Sequence, residues 1–167
     1  MIDPQYIAVM AKAGFVGTLL YLAYVDWQSF RLPNRITIPL IALGLVFNYT
    51  AQLPITTPLA SLLGIPVGYG VIWALNAIYK LYRGQNGIGM GDAKLLAGLG
   101  AWLGWSTLPS ILLIASITSL IVGFAWLKFK SYSLSQALPF GPFLAIAGII
   151  ELLWPQIIPT LLLPKLI

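Results

Sequence analysis

The sequence contains no cysteine and no histidine, and only four of its 167 residues are carboxylates: Asp3, Asp26, Asp92 and Glu151. Thiol nucleophiles, Ser-His-Asp triads, zinc sites built on Cys or His and haem axial histidines are therefore excluded. The absence of cysteine also leaves the redox compartment undetermined. Charge of either sign is scarce, at 8% of residues, where a soluble domain carries about a quarter. In its place, 59% of residues are hydrophobic and the mean hydropathy is +0.92. One core of this length could not hide that much apolar surface from water, so lipid is the solvent and an all-α polytopic membrane protein is expected.

Apolar runs of bilayer length fall at 5–25, 36–53, 59–82, 93–106, 108–127 and 137–156, which predicts about six transmembrane helices in a single domain over 1–167. The fourth run, AKLLAGLGAWLGW, is short and Gly-rich and crosses only with tilt or local thinning of the bilayer. Residues 157–167 are broken by Pro159 and Pro164 and suit an interfacial tail better than a seventh helix. Arg31, Arg35, Lys80, Arg83, Lys94, Lys128 and Lys130 all lie around alternate connections, after the first, third and fifth runs, and the other two connections have no basic residue. The positive-inside rule then puts the charged connections in the cytoplasm and both termini outside. It also accounts for the net charge of +5 without nucleic acid. A cleavable signal peptide is not expected, because the first charge is Asp3 and no polar segment follows the first run. Small residues at Gly64 and Gly68, and at Ala115, Ser119 and Gly123, would let helices approach closely.

Asp26 ends the first run in VDWQSFRLPN, and Asp92 opens the fourth in GIGMGDAKLL. The topology thus places two of four acids at one membrane face, near the cytoplasmic boundary, and an acid at membrane depth marks a candidate functional site. Position alone also allows simple roles, with Asp92 favouring a helix N-terminus and Asp26 snorkelling at a helix end. Gly87, Gly89 and Gly91 alternate ahead of Asp92, a pattern no plain cap needs; it allows either close backbone approach or positive φ. As a phosphate loop it is weak, for GxxxxGK[ST] is missing. A third element, LPFGPF, opens the sixth run on the same face, with Pro139 and Pro142 removing backbone donors and Gly141 loosening the turn. If the protein cuts peptides in the membrane, the lack of histidine removes rhomboid-type and HExxH chemistry. No serine lies beside Lys80 or Lys94 in a recognisable motif. An aspartyl pair sharing one proton remains.

These residues resemble the type IV prepilin peptidases, membrane aspartyl proteases that also process pseudopilins of type II secretion. The likeness rests on Asp26 with Pro33, Asn34, Thr37 and Pro39; on GIGMGDAKLLAGLGAWLGW with a GxGD signature at Gly89, Met90, Gly91 and Asp92; and on PFGPFLA from Pro139 to Ala145, and it covers nearly the whole chain. It implies that Asp26 and Asp92 are the catalytic pair. Gly89, Gly91, Lys94, Pro33, Asn34, Pro139, Phe140, Gly141 and Pro142 are implied to support the site or bind substrate, with no metal or cofactor. At two residues from Asp92, Lys94 does not share its helix face and is expected to snorkel or touch substrate. The implied substrate is a prepilin or pseudopilin with a short basic leader, cut at the cytoplasmic edge of its apolar helix in the inner membrane. Full-length bacterial members add an N-terminal helix and a cytoplasmic, often four-Cys, domain associated with N-methylation. No such segment occurs in these residues, so peptidase and not methyltransferase activity is expected.

Two rival readings remain, a proton-coupled transporter with the acids as relay and a non-catalytic pilus assembly protein. Neither the topology nor the motifs use Lys12 or Glu151. Both are expected deep toward the outer side, about 21 and about 18 Å from the cytoplasmic boundary, which suggests an ion pair or two separately snorkelling chains.

Overall fold

The computed structural model describes residues 3–84, 87, 89–130 and 139–155. It contains six helices in the expected places: α1 (Pro4–Ser29), α2 (Asn34–Thr50), α3 (Pro58–Arg83), α4 (Met90–Leu103), α5 (Leu108–Lys130) and α6 (Gly141–Leu153). A single 3-10 turn, Trp105–Thr107, joins α4 to α5, and no strand occurs among the described residues. The tail at 157–167 and the beginning of the sixth run at 137–138 lie outside the described residues.

Three of the helices are long and apolar enough to cross a membrane: α1, α3, and α5 with the turn that leads into it. Their outer faces carry exposed Tyr6, Met10, Leu20, Tyr24, Leu62, Trp73, Leu120 and Phe124, as surfaces in contact with lipid do. α2, with 17 residues, is at the lower limit of a crossing length, the fourth run is short as expected, and the sixth is shorter than its apolar run. α4 has 14 residues and α6 has 13, about 21 and 20 Å at 1.5 Å per residue. Their place explains this. Every residue of α4 from Leu95 to Leu103 is buried, so protein and not lipid sets its length.

Such a helix must be narrow. α3 packs along it, and a Cβ built at Gly64 would run into the backbone of Gly100, while one at Gly68 would lie 2.6 Å from the carbonyl oxygen of Leu96. The close approach expected of Gly64 and Gly68 is thus made against α4. Of the second small-residue set, Ala115 is buried, whereas Ser119 and Gly123 are half-buried, and the Ser119 hydroxyl donates to its own helix at Ser116.

The far end of α4 is held by polar side chains buried on neighbouring helices. Asn48 Nδ2 donates to the carbonyls of Ala101 (2.9 Å) and Trp102 (3.0 Å), and its Oδ1 accepts from the amides of Ile55 (2.9 Å) and Thr56 (3.1 Å). The Ser61 hydroxyl also donates to Ala101. These groups satisfy the last carbonyls of α4 where water is absent. Trp102 stacks on Phe15 (4.5 Å between centroids) and Phe47 (5.6 Å), and its Nε1 donates to the Leu40 carbonyl at 2.8 Å.

Among the described residues no ion pair joins Lys12 to Glu151. Although α1 and α6 pack together, Glu151 is only 2% exposed and its Oε2 accepts from the Ser110 hydroxyl at 2.8 Å, while Lys12 lies on the exposed face of α1. Facing α5, Glu151 points away from the side of α1 that carries the lysine.

Replacing Asn48 by Leu strands two donors and two acceptors in the core. Each buried group left unsatisfied costs about 1–3 kcal/mol, so a clear drop in thermal stability in detergent is expected. The exposed Thr50→Val control should stay within about 0.5 kcal/mol of the parent; equal stability of Asn48→Leu and the control would reject the clamp.

Candidate active site

Asp26 continues the buried stripe of α1 formed by Phe15, Leu19 and Leu22, whose spacing keeps all four on one helix face. A carboxylate on the core side of a membrane helix needs a partner. It has one in α6, where the Gly141 amide donates to Asp26 Oδ2 at 3.1 Å. A Cβ built at Gly141 would lie 2.6 Å from that oxygen and 3.0 Å from Cγ, so only glycine lets this amide reach the acid. Pro142 sits in the first turn of α6, where no amide hydrogen is needed.

Asp92 is the third residue of α4 and is buried. It opens onto the same cavity as Asp26, a space of about 840 Å³, and the two carboxylates are close enough to interact electrostatically. The N-termini of α2, α4 and α6 all border this cavity, and none is closed by a side-chain cap. The positive ends of three helix dipoles therefore border the space that the two acids share. Among the described residues no third His, Cys, Asp or Glu joins them to make a metal-ligand cluster.

Of the residues expected to support the acids, Asn34, Gly89, Gly91, Lys94, Pro139 and Phe140 line the cavity. Pro33, Gly141 and Pro142 stand behind it, Pro33 as the N-cap of α2. The glycine run works by close approach and not by positive φ. Gly89 has φ −68°, and positive φ among the described residues is confined to Phe30, Gly84 and Gly104. A Cβ at Gly91 would come 3.1 Å from Leu32 Cβ, and one at Gly87 would enter the Tyr79 ring. Lys94 does not snorkel alone: its ammonium donates to Asn34 Oδ1 at 2.7 Å, which ties α4 to α2.

The register of α3 on α4, with Gly64 at Gly100 and Gly68 at Leu96, brings Ile72 level with Asp92. Arg83 lies eleven residues farther along α3, about 16 Å. The carboxylates are thus recessed from the end of α3, deeper than their places in the chain suggest.

Sequence reasoning did not find Asn76. Its Oδ1 accepts from the Gly87 amide at 2.9 Å and its Nδ2 lies 4.0 Å from Met90 Sδ, so α3 holds the segment that leads into Asp92. The signal was present as a lone amide in the apolar run VIWALNAIYK. Ile72, Leu75, Leu112 and Ser116, which also line the cavity, carry no signal that distinguishes them from other span residues.

Known proteins are similar to the chain in sequence. The sequence model of the Type IV leader peptidase family matches residues 13–124, which include Asp26, Asn34, the glycine run, Asp92 and Lys94. Proteins named prepilin leader peptidase/N-methyltransferase are similar to the chain: that of Aeromonas salmonicida is 43% identical over 137 residues, 81% of this chain and 46% of the relative. That of Pseudomonas putida is 43% identical over 138 residues, 82% of this chain and 47% of the relative. The Burkholderia pseudomallei protein is 40% identical over 141 residues, 84% and 45%. The chain spans less than half the length of these relatives. No solved structure matches it. With most of its length matched, and with both recessed acids inside the matched region, the chain belongs to the type IV leader peptidase family.

Proposed function

We propose that this protein is a membrane-embedded aspartyl endopeptidase that removes the leader from prepilins or pseudopilins at the cytoplasmic face of the inner membrane. Asp26 and Asp92 are its catalytic pair. The observation that carries the reading is the meeting of two acids, 66 positions apart in the chain, in one cavity among three helix N-termini. Family membership supplies the substrate class, and the basic residues around alternate connections support the cytoplasmic orientation.

In this reading the two carboxylates, which line one cavity, share one proton when substrate is bound between them. The Gly141 amide and the positive end of α6 favour negative charge on Asp26, which assigns Asp26 as base and Asp92 as acid. Asp26 takes a proton from water as the oxygen attacks the scissile carbonyl carbon, and Asp92 donates to the carbonyl oxygen. The tetrahedral intermediate then breaks its C–N bond, with a proton passing to the leaving amine. A bare backbone strip at Gly89, where a Cβ would stand 3.8 Å from Asp92 Oδ2, leaves room for an extended peptide at the acids.

A proton relay finds less support. Glu151, the next buried acid, lies ten residues beyond Gly141 on α6, about 15 Å, and Leu144, Ala145 and Ala147 between them are buried and apolar.

The direct test incubates the purified protein with a panel of prepilins and follows leader loss by mass spectrometry. Asp26→Asn and Asp92→Asn should each abolish cleavage, and the double variant should be no worse than either, since the two act as a unit. Robust cleavage by either single variant rejects the pair. The rate should trace a bell against pH, reporting the two macroscopic ionisations of the dyad; a flat profile through the acidic range speaks against a shared proton.

Gly141→Ala displaces the Asp26 carboxylate and should lower kcat at least about tenfold, the scale of a small misplacement of a catalytic group. Gly14→Ala, whose added methyl meets no atom within 4 Å, serves as control, and equal kcat in the two variants would discount the amide contact.

A further inference from the structure

The cavity lining on α3 and α5 is mostly apolar, Ile72, Leu75 and Leu112 with the one hydroxyl of Ser116, while α2 and α4 bring the amide of Asn34 and the ammonium of Lys94 beside Met90. The Lys94 ammonium donates to Asn34 Oδ1 at 2.7 Å. An ammonium has no acceptor, so the amide oxygen must face it and the amide NH2 must face elsewhere. The pair therefore offers N–H donors to whatever enters the cavity. Among the described residues no ion pair joins Lys94 to either aspartate, and Asp26 Oδ2 already takes the Gly141 amide. The positive charge of Lys94 is thus not consumed by the acids it stands near.

A peptide stretched across the acids covers the cavity lining with its own backbone, and each carbonyl oxygen that is thereby buried without a donor is costly. Resting on the leader-peptidase reading, we propose that Lys94 and Asn34 form a subsite for a backbone carbonyl oxygen on the leader side of the scissile bond. The apolar stretch beyond the bond lies on Ile72, Leu75 and Leu112. The cavity then determines the direction in which substrate crosses the acids: polar leader on α2 and α4, apolar helix on α3 and α5.

The test uses the full chain in phosphatidylcholine vesicles and a synthetic precursor peptide with leader, scissile bond and following apolar stretch. Lys94→Met should raise KM about tenfold, as expected on losing one charge-assisted hydrogen bond, with kcat within about twofold. Lys94→Arg keeps the donors and should remain within about threefold of the parent KM. Asn34→Leu should raise KM as Lys94→Met does, and it decides the matter together with Lys94→Arg should Lys94→Met fail to fold. As a competitor, a peptide shortened on the leader side to the residue at the cut should bind parent and Lys94→Met alike. An unchanged KM overturns the subsite, as does a loss confined to kcat, which would put Lys94 to work on the acids. A KM effect seen only when phosphatidylglycerol is added also overturns it, since the oxygen held would be a lipid phosphate. A parent chain that cleaves no precursor peptide overturns the leader-peptidase reading beneath it, a result distinct from cleavage without a Lys94 effect.

Discussion

A carboxylate on the core face of a membrane helix has little water to hold its charge, and the beginnings of other helices take water's place. α6 starts against Asp26 with a glycine amide on its oxygen, and α4 starts two residues before Asp92. α2 starts beside the same cavity at Asn34. Helix N-termini offer unpaired N–H groups and a partial positive charge, and three of them directed at one space make it tolerant of two acids. Much of the rest follows from that need. α4, which begins at the site, is short and buried from Leu95 to Leu103, and α6, which begins there too, has 13 residues.

A helix buried along its length has its own requirement, since the carbonyls at its far end meet protein and not water. At the far end Asn48 and Ser61 take up the last carbonyls of α4. At the near end Asn76 holds the Gly87 amide just before the helix begins. Glycine contacts along α3 fix the register between these two clamps, and that register places Asp92 at its depth beside Ile72. Position along α4 is therefore determined by backbone contact and by buried amides, both of which tolerate little displacement. Asp26 is held differently, through α6 from the other side. The geometry of the acid pair thus depends on two independent packings, α3 on α4 and α6 on α1, that meet only at the cavity.

Much about this protein was determined by its sequence alone. Apolar runs in such number require lipid, and the rule that backbone groups be satisfied internally then makes the runs helices; α1, α2, α3 and α5 stand where the apolar runs put them. The missing histidines and cysteines left two aspartates as the source of chemistry, and the GxGD and PFGPF motifs marked the segments around them. Tertiary structure alone decided the rest. Run length could not tell a helix wrapped by protein from one facing lipid, because both are apolar, and so the sequence showed that α4 is short but not that it is buried from Leu95 to Leu103. Equal depth could not pair Lys12 with Glu151, because a helix has faces as well as height, and Ser110 stands on the face that Glu151 presents. The glycines ahead of Asp92 could have served positive φ or close approach, and only the neighbouring Leu32 and Tyr79 show which. Asn48 and Asn76 are single amides in apolar runs, and their partners lie 53 and 11 residues away; contacts of that kind exist only once the helices have packed.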